Sequence, residues 1–270
     1  MKFAICNEVF EGWTIDESIQ FVAETGYDAI EIAPFTLSQY VTEVPVPERH
    51  RIRTVAADNG IEISAIHWVL IKTEGMYMTH TDPVVRRKTA DYFCELVRFC
   101  ADLGGEAIVV GSPKQRNLLP GVSFEQAWDL ARETFAPSIK LAEDKEVTIC
   151  FEPLAPSETD FVNTASKGIE FIREFDSDAF KIILDVKAMC SDSKPIPDII
   201  RDSHPDFGYF HANDANLKGP GFGNVDFKPI FGELKEVGYD GVVSVEVFDF
   251  EEGAERIARE SLRYMREASA

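Results

Sequence analysis

The chain has 270 residues, 45% of them hydrophobic and 20 of them Phe, which excludes a disordered polymer and fits a single domain spanning 1–270. Its 47 acidic against 27 basic residues leave a formal net charge of −20, which argues against nucleic acid as a partner because phosphate binding is driven by Lys and Arg. No stretch reaches the roughly 18–20 uncharged apolar residues of a membrane helix, and MKFAICNEVF lacks the apolar core of a secretory signal.

Five cysteines without a CxxC pair read as reduced core thiols of a cytoplasmic protein.

In chain order, short apolar runs alternate with amphipathic segments. KFAICN opens at Lys2, and a helix Ile15–Glu24 follows the N-cap candidate Thr14. AIEIAP from Ala29 precedes a helix Pro47–Asn59, which has Pro in its first turn and Gly60 after its last. EISAIHW from Glu62 precedes an exposed stretch Glu74–Asp82 and a long helix from Pro83 to Gly104. AIVVGSP from Ala107 precedes a helix Ser123–Lys145, predicted to break near Pro137. VTICFEP from Val147, FKIILDV from Phe180, GYFHAND from Gly208 and VVSVEVF from Val242 follow. Their helices are Thr164–Phe175, Pro195–Ser203, Phe227–Val237 and Glu255–Arg266.

The runs are nearly continuous Ile and Val, as in strands buried on both faces of a parallel sheet. Eight strands alternating with eight helices predict an α/β (β/α)8 TIM barrel. An open doubly wound sheet is the runner-up, and no GxGxxG after the first strand supports it.

Barrels place functional groups at the C-terminal ends of their strands. Charged groups in apolar runs are costly to bury unless paired or metal-bound. Glu152, Asp185, His211 and Glu246 end four successive runs, each about one βα unit apart. Singly, each has an ordinary explanation, a loop salt bridge for Glu or the N-cap of the next helix for Asp. Together they predict three carboxylates and one imidazole at one axial point. Three such carboxylates repel unless a cation joins them. This donor set suits one Mn²⁺, Mg²⁺ or Co²⁺ ion.

Further candidates for substrate binding stand at other strand ends. His67-Trp68 offers an aromatic face beside a polar ring, with a buried, satisfied histidine as the alternative. Lys114 and Arg116 could hold an anion or belong to a polar loop. Asn213, Asn216 and Asp226 lie in the Gly/Pro-rich segment His211–Asp226, as hydroxyl contacts or as turn residues. That segment and Glu74–Asp82 are both candidate covers for the pocket.

Across its whole length the chain resembles the xylose isomerase-like TIM barrels, and within them the sugar (phosphate) isomerase/epimerase group that includes the ketose 3-epimerases. The resemblance rests on FEP at Phe151–Pro153, LD at Leu184–Asp185, the His of FHAND at His211, and VEVF at Val245–Phe248. It implies one divalent metal, commonly Mn²⁺, on Glu152, Asp185, His211 and Glu246. It implies that Glu152 and Glu246 act as an acid/base pair through a cis-enediolate, and that Glu158 contacts substrate oxygens. It also implies a small carbohydrate substrate and a homo-oligomer.

Two positions depart from the family pattern. Ala188 stands where a His is usual, with Lys187 beside it, and Leu217 followed by Lys218 stands where an Arg is usual. Lys187 is therefore a candidate substrate contact. The departures keep a metal-dependent lyase or dehydratase of a keto-sugar, keto-glycoside or cyclic polyol as an alternative. A non-catalytic sugar-binding barrel comes third. A three-zinc nuclease branch of the same fold needs more strand-end histidines than His67 and His211.

Overall fold

The computed structural model describes residues Met1–Ala270. Eight parallel strands close into a barrel in sequential order, β1 pairing with β8. The strands are β1 Lys2–Cys6, β2 Ala29–Ile32, β3 Glu62–Ile66, β4 Ala107–Val110, β5 Thr148–Phe151, β6 Phe180–Asp185, β7 Phe207–Ala212 and β8 Val242–Val245. The helices are α1 Ile15–Thr25, α2 Val46–Asp58, α3 Pro83–Leu103, α4 Phe124–Lys145, α5 Ala165–Arg173, α6 Val186–Met189, α7 Ile196–Ser203, α8 Phe227–Glu236 and α9 Ala254–Ala268. No helix is long and apolar enough to cross a membrane.

Strand residues alternate between two cores because the side-chain period is two. Ile149, Phe151, Ile182 and Leu184 join the large apolar layer between sheet and helices. Ala65, Ala107, Val109, Cys150, Ile183 and Tyr209 form a separate cluster that fills the barrel interior. Continuing that inward series by two residues reaches Glu152, Asp185 and His211 in turn. The apolar plug thus ends in a polar floor at the C-terminal rim.

Local signals act as expected at most ends. Thr14 and Glu17 form a reciprocal capping box on α1, and Ser123 and Gln126 form one on α4. Gly26 and Gly104 close α1 and α3 in the left-handed conformation.

Three expectations are corrected. Helix α4 runs through Pro137 without a break. Its buried face, with Phe135 stacked on Phe93 at 4.8 Å, holds the helix against α3 despite the missing backbone donor. An unanticipated short helix, α6, follows β6 directly because Asp185 Oδ1 accepts from Ala188 N at 2.7 Å. The cysteines are not all core residues: Cys6, Cys100 and Cys150 are buried, whereas Cys94 is half-buried and Cys190 is exposed, all unbridged.

Phe135 is fully buried and also packs on Phe151, Phe171 and Phe180, so it ties α4 to β5, α5 and β6. Phe135→Ala is expected to destabilise the barrel by about 3–5 kcal/mol, read as a lower denaturant midpoint.

Candidate active site

Glu152, Asp185, His211 and Glu246 offer donor atoms that all lie within 4.8 Å of one another. All four residues are buried. Glu152 directly follows β5 and Glu246 directly follows β8, with Asp185 on β6 and His211 on β7 between them. In-register pairing of Asp185 with His211 holds the two middle members level.

The cluster is electrostatically uneven. Burial, together with the charges of Asp185 and Glu246, pushes the Glu152 carboxyl up to about 8. Burial and Glu246 likewise raise Asp185. Burial also opposes ionisation of Glu246, but His211 and His67 outweigh it and hold that carboxyl below its usual range.

His211 is oriented from behind. Its Nε2 donates to Glu31 Oε1 at 3.1 Å. Burial opposes the Glu31 charge, but His211 and His67 hold that carboxyl near 2, so it stays an acceptor. Nδ1 stands 3.1 Å from Glu246 Oε2, yet it makes no hydrogen bond and faces the cluster. A carboxylate holding one imidazole nitrogen while the other is left free is the arrangement that presents a histidine to a metal. Three carboxylates plus this unpartnered nitrogen fit a divalent cation with mainly oxygen preference.

Glu152 and Glu246 line a cavity of about 390 Å³ at the C-terminal rim, whereas Asp185 and His211 are not part of its wall. Its lining also includes the expected Trp68, Lys114, Glu158 and Lys187. Trp68 Nε1 donates to Glu246 Oε1 at 2.7 Å, fixing that carboxylate. Lys187 Nζ donates to Glu158 Oε1 at 2.6 Å and lies 4.2 Å from the centre of the Phe248 ring. Burial works against the Lys187 charge, but Asp185 and Glu158 raise its pKa and keep it a cation. The cavity wall carries Lys72, Lys114 and Lys187 beside Glu152, Glu158 and Glu246, and of these ammoniums Lys187 is the one held by an ion pair to a lining carboxylate.

His67, Arg116 and Asn213 do not reach the cavity wall either. His67 is fully buried, with Nε2 at 2.8 Å from Glu8 Oε2 and Nδ1 at 3.5 Å from Glu31 Oε1. Burial lowers its pKa, and Glu8 and Glu31 reverse that and lift it to about 9. Only its Nε2 is hydrogen-bonded, to Glu8, and Nδ1 makes no hydrogen bond, so it is a buried histidine held among carboxylates rather than a fully satisfied one. Arg116 is also fully buried, 4.8 Å from the Phe151 ring centre, and its guanidinium nitrogens have no hydrogen-bond partner. Asn213 is buried behind the cavity. It donates to Asp185 Oδ2 at 2.6 Å and accepts from Lys187 N at 2.7 Å, so it positions both.

Neither candidate cover lines the cavity. The stretch Glu74–Asp82 is not wholly exposed: Met76, Met78 and Thr79 are buried. Met78 N donates to Gln115 O at 2.7 Å, and Thr134 Oγ1 donates to Met78 O at 2.8 Å, which pins the stretch to its neighbours. In the His211–Asp226 segment, Asp226 caps α8, and Asn216 Nδ2 donates to Phe222 O at 3.0 Å. Both are turn residues serving their own backbone.

Glu31, Glu8 and Gly111 are the members that strand-end reasoning did not put to use. Glu31 meets the criterion that selected the others, a charge inside an apolar run. Gly111 has no signal of its own beyond being glycine at a strand end. A Cβ there would overlap Glu152 Oε2, so the carboxylate occupies the space that the missing side chain leaves.

The model of the xylose isomerase-like TIM barrel family matches residues 19–268. The D-psicose 3-epimerase of Ruminiclostridium cellulolyticum is 26% identical over 253 residues, covering 92% of this chain and 84% of that protein. The 3-dehydro-D-guloside 4-epimerase of Escherichia coli is 23% identical, covering 98% of this chain and 99% of that one. A crystal structure of D-psicose 3-epimerase in the presence of D-fructose superposes with a TM-score of 0.87 at 23% identity, covering 100% of this chain and 99% of its own. A barrel closed in sequential order, carrying its acidic and imidazole groups at the C-terminal rim and matched by the family model over nearly its full length, belongs to the xylose isomerase-like TIM barrels.

Proposed function

We propose that the protein is a divalent-metal-dependent epimerase or isomerase of sugars or sugar phosphates. The convergence of Glu152, Asp185, His211 and Glu246, whose donor atoms lie within 4.8 Å of one another, carries this reading. The named epimerases among its relatives support the carbohydrate class. Glu152, Asp185, His211 and Glu246 would hold the ion, with Mn²⁺ the best fit to the donor set and Mg²⁺ or Co²⁺ next. Such an ion supplies Lewis acidity, polarising a carbonyl and the neighbouring hydroxyl so that an enediolate becomes accessible.

The chain's own groups supply the proton chemistry. Glu152 and Glu246 both face the cavity, from strands separated by β6 and β7. One removes the proton next to the carbonyl, and the other returns a proton to the opposite face. Glu246 is suited to hold its charge because Trp68 and His211 stand against it. Glu152 lines the cavity and has no side-chain donor, so its carboxylate is free to exchange a proton with substrate. Lys187 provides a fixed positive charge for substrate oxygens, in place of the usual His one position later. Glu158 shares that ammonium and would accept from a hydroxyl.

Incubating the metal-loaded protein in D₂O with a panel of ketoses and 3-keto-glycosides tests the reaction type. Deuterium at the carbon beside the carbonyl, without elimination, is the expected result; an enone product would replace this reading with the lyase. Glu246→Gln should lower exchange by at least about 100-fold with the fold intact by circular dichroism, and retained exchange would sink the two-carboxylate mechanism. His211→Ala should weaken Mn²⁺ binding at least roughly tenfold by calorimetry; unchanged affinity would remove His211 from the ligand set. Gly111→Ala should displace Glu152 and lower exchange by about 100-fold while the melting temperature changes little.

A further inference from the structure

We infer that the substrate carries a second, neutral sugar unit, seated in a cavity on the far side of Trp68 from the reacting centre. The inference rests on the sugar epimerase or isomerase reading and names its substrate class as a ketose-containing disaccharide or glycoside.

A second cavity of about 510 Å³ opens beside β1 and β2. Its volume falls in the roughly 300–1,000 Å³ range of ligand sites. It shares Trp68 and Lys72 with the first cavity, so the two meet along one wall. Phe248 stacks on Trp68 at 5.8 Å and lines the first cavity; Phe35 stacks on Trp68 at 5.8 Å and lines the second. Trp68 and Lys72 form the shared wall, with Phe248 on the first cavity's side of the indole and Phe35 on the second's.

The second cavity has an unmet acceptor. Glu8 is 6% exposed and lines it; Oε2 takes His67, and Oε1 has no partner. A buried carboxylate oxygen without a donor is costly, and a ligand hydroxyl removes that cost. The mouth has an unmet apolar surface as well. Trp13 at 36% and Phe250 at 38% are among the few large hydrophobic side chains left exposed, and both line this cavity. Aromatic faces beside a hydroxyl acceptor match the C–H face and hydroxyl edge of a pyranose. Glu8 and Glu11 stand against the single cation Lys72, which disfavours a phosphate or carboxylate here.

The test is calorimetric titration of the full-length, Mn²⁺-loaded protein with D-fructose and with two disaccharides that contain it, lactulose and isomaltulose. At least one disaccharide should bind tenfold or more tightly than D-fructose. Trp13→Ala, and separately Phe250→Ala, should return that affinity to the D-fructose level while D-fructose binding stays within twofold. Disaccharides that bind no more tightly than D-fructose, or variants that weaken both sugars equally, overturn the second subsite. Deuterium exchange into D-fructose in the same preparation separates the two failures. If exchange persists, only the subsite is lost; if no sugar binds or exchanges, the underlying reading fails and the subsite falls with it.

Discussion

Five buried carboxylates at the barrel's C-terminal rim must each find a counter-charge, and most of the site follows from how they do so. On one side, acids and imidazoles alternate: Glu8, His67, Glu31, His211 and Glu246 form a continuous line of contacts. Each imidazole there lies between two carboxylates, so two imidazoles offset part of the charge of three acids inside the protein. On the other side, Glu152 and Asp185 have no imidazole wholly their own. Lys187 lies near them but is hydrogen-bonded to Glu158. The first half orients the cluster, and the second is where the proposed cation would sit. The unpartnered Nδ1 of His211 sits where the two halves meet.

The aromatic wall depends on the same charges. Trp68 has a positive φ of 53°, a conformation that costs a non-glycine residue about 1–3 kcal/mol. Its reward is local: the indole nitrogen bonds to Glu246, and the ring stacks between Phe35 and Phe248. An indole hydrogen-bonded to a buried carboxylate is a rigid divider. With Phe35 and Phe248 stacked on its two faces, it stands between two cavities that it helps to line.

Period and composition made the barrel legible. Each Ile/Val run became a strand in sequential order, because strands buried on both faces leave little choice of partner layer. The four central ligand candidates were legible for the same reason: a charge in such a run has few stable fates. What escaped the sequence depends on contacts between distant segments. His67 is consumed by Glu8 and Glu31, which come from two other strand ends. Arg116 turns inward over Phe151 instead of toward the cavity. The stretch after β3 is pinned by Gln115 and Thr134, so its polar composition misread it as exposed. Pro137 failed to break α4 because packing on one helix face outweighed one lost hydrogen bond.

The position of Lys187 shows how a departure from the family pattern can be absorbed without disturbing the floor. Asp185 caps α6 with one oxygen and accepts from Asn213 with the other. Asn213 in turn receives the Lys187 backbone N–H, so the first turn of α6 is fixed at both Asp185 and Lys187. That fixed turn sends the Lys187 side chain over the Phe248 ring to Glu158. The next side chain, Ala188, is buried and small. A cation at position 187 therefore reaches the cavity only because Asp185 begins a helix there. The residue that ends the apolar run also decides where the neighbouring charge points, and this couples the charge pattern of the floor to the choice of substrate contact above it.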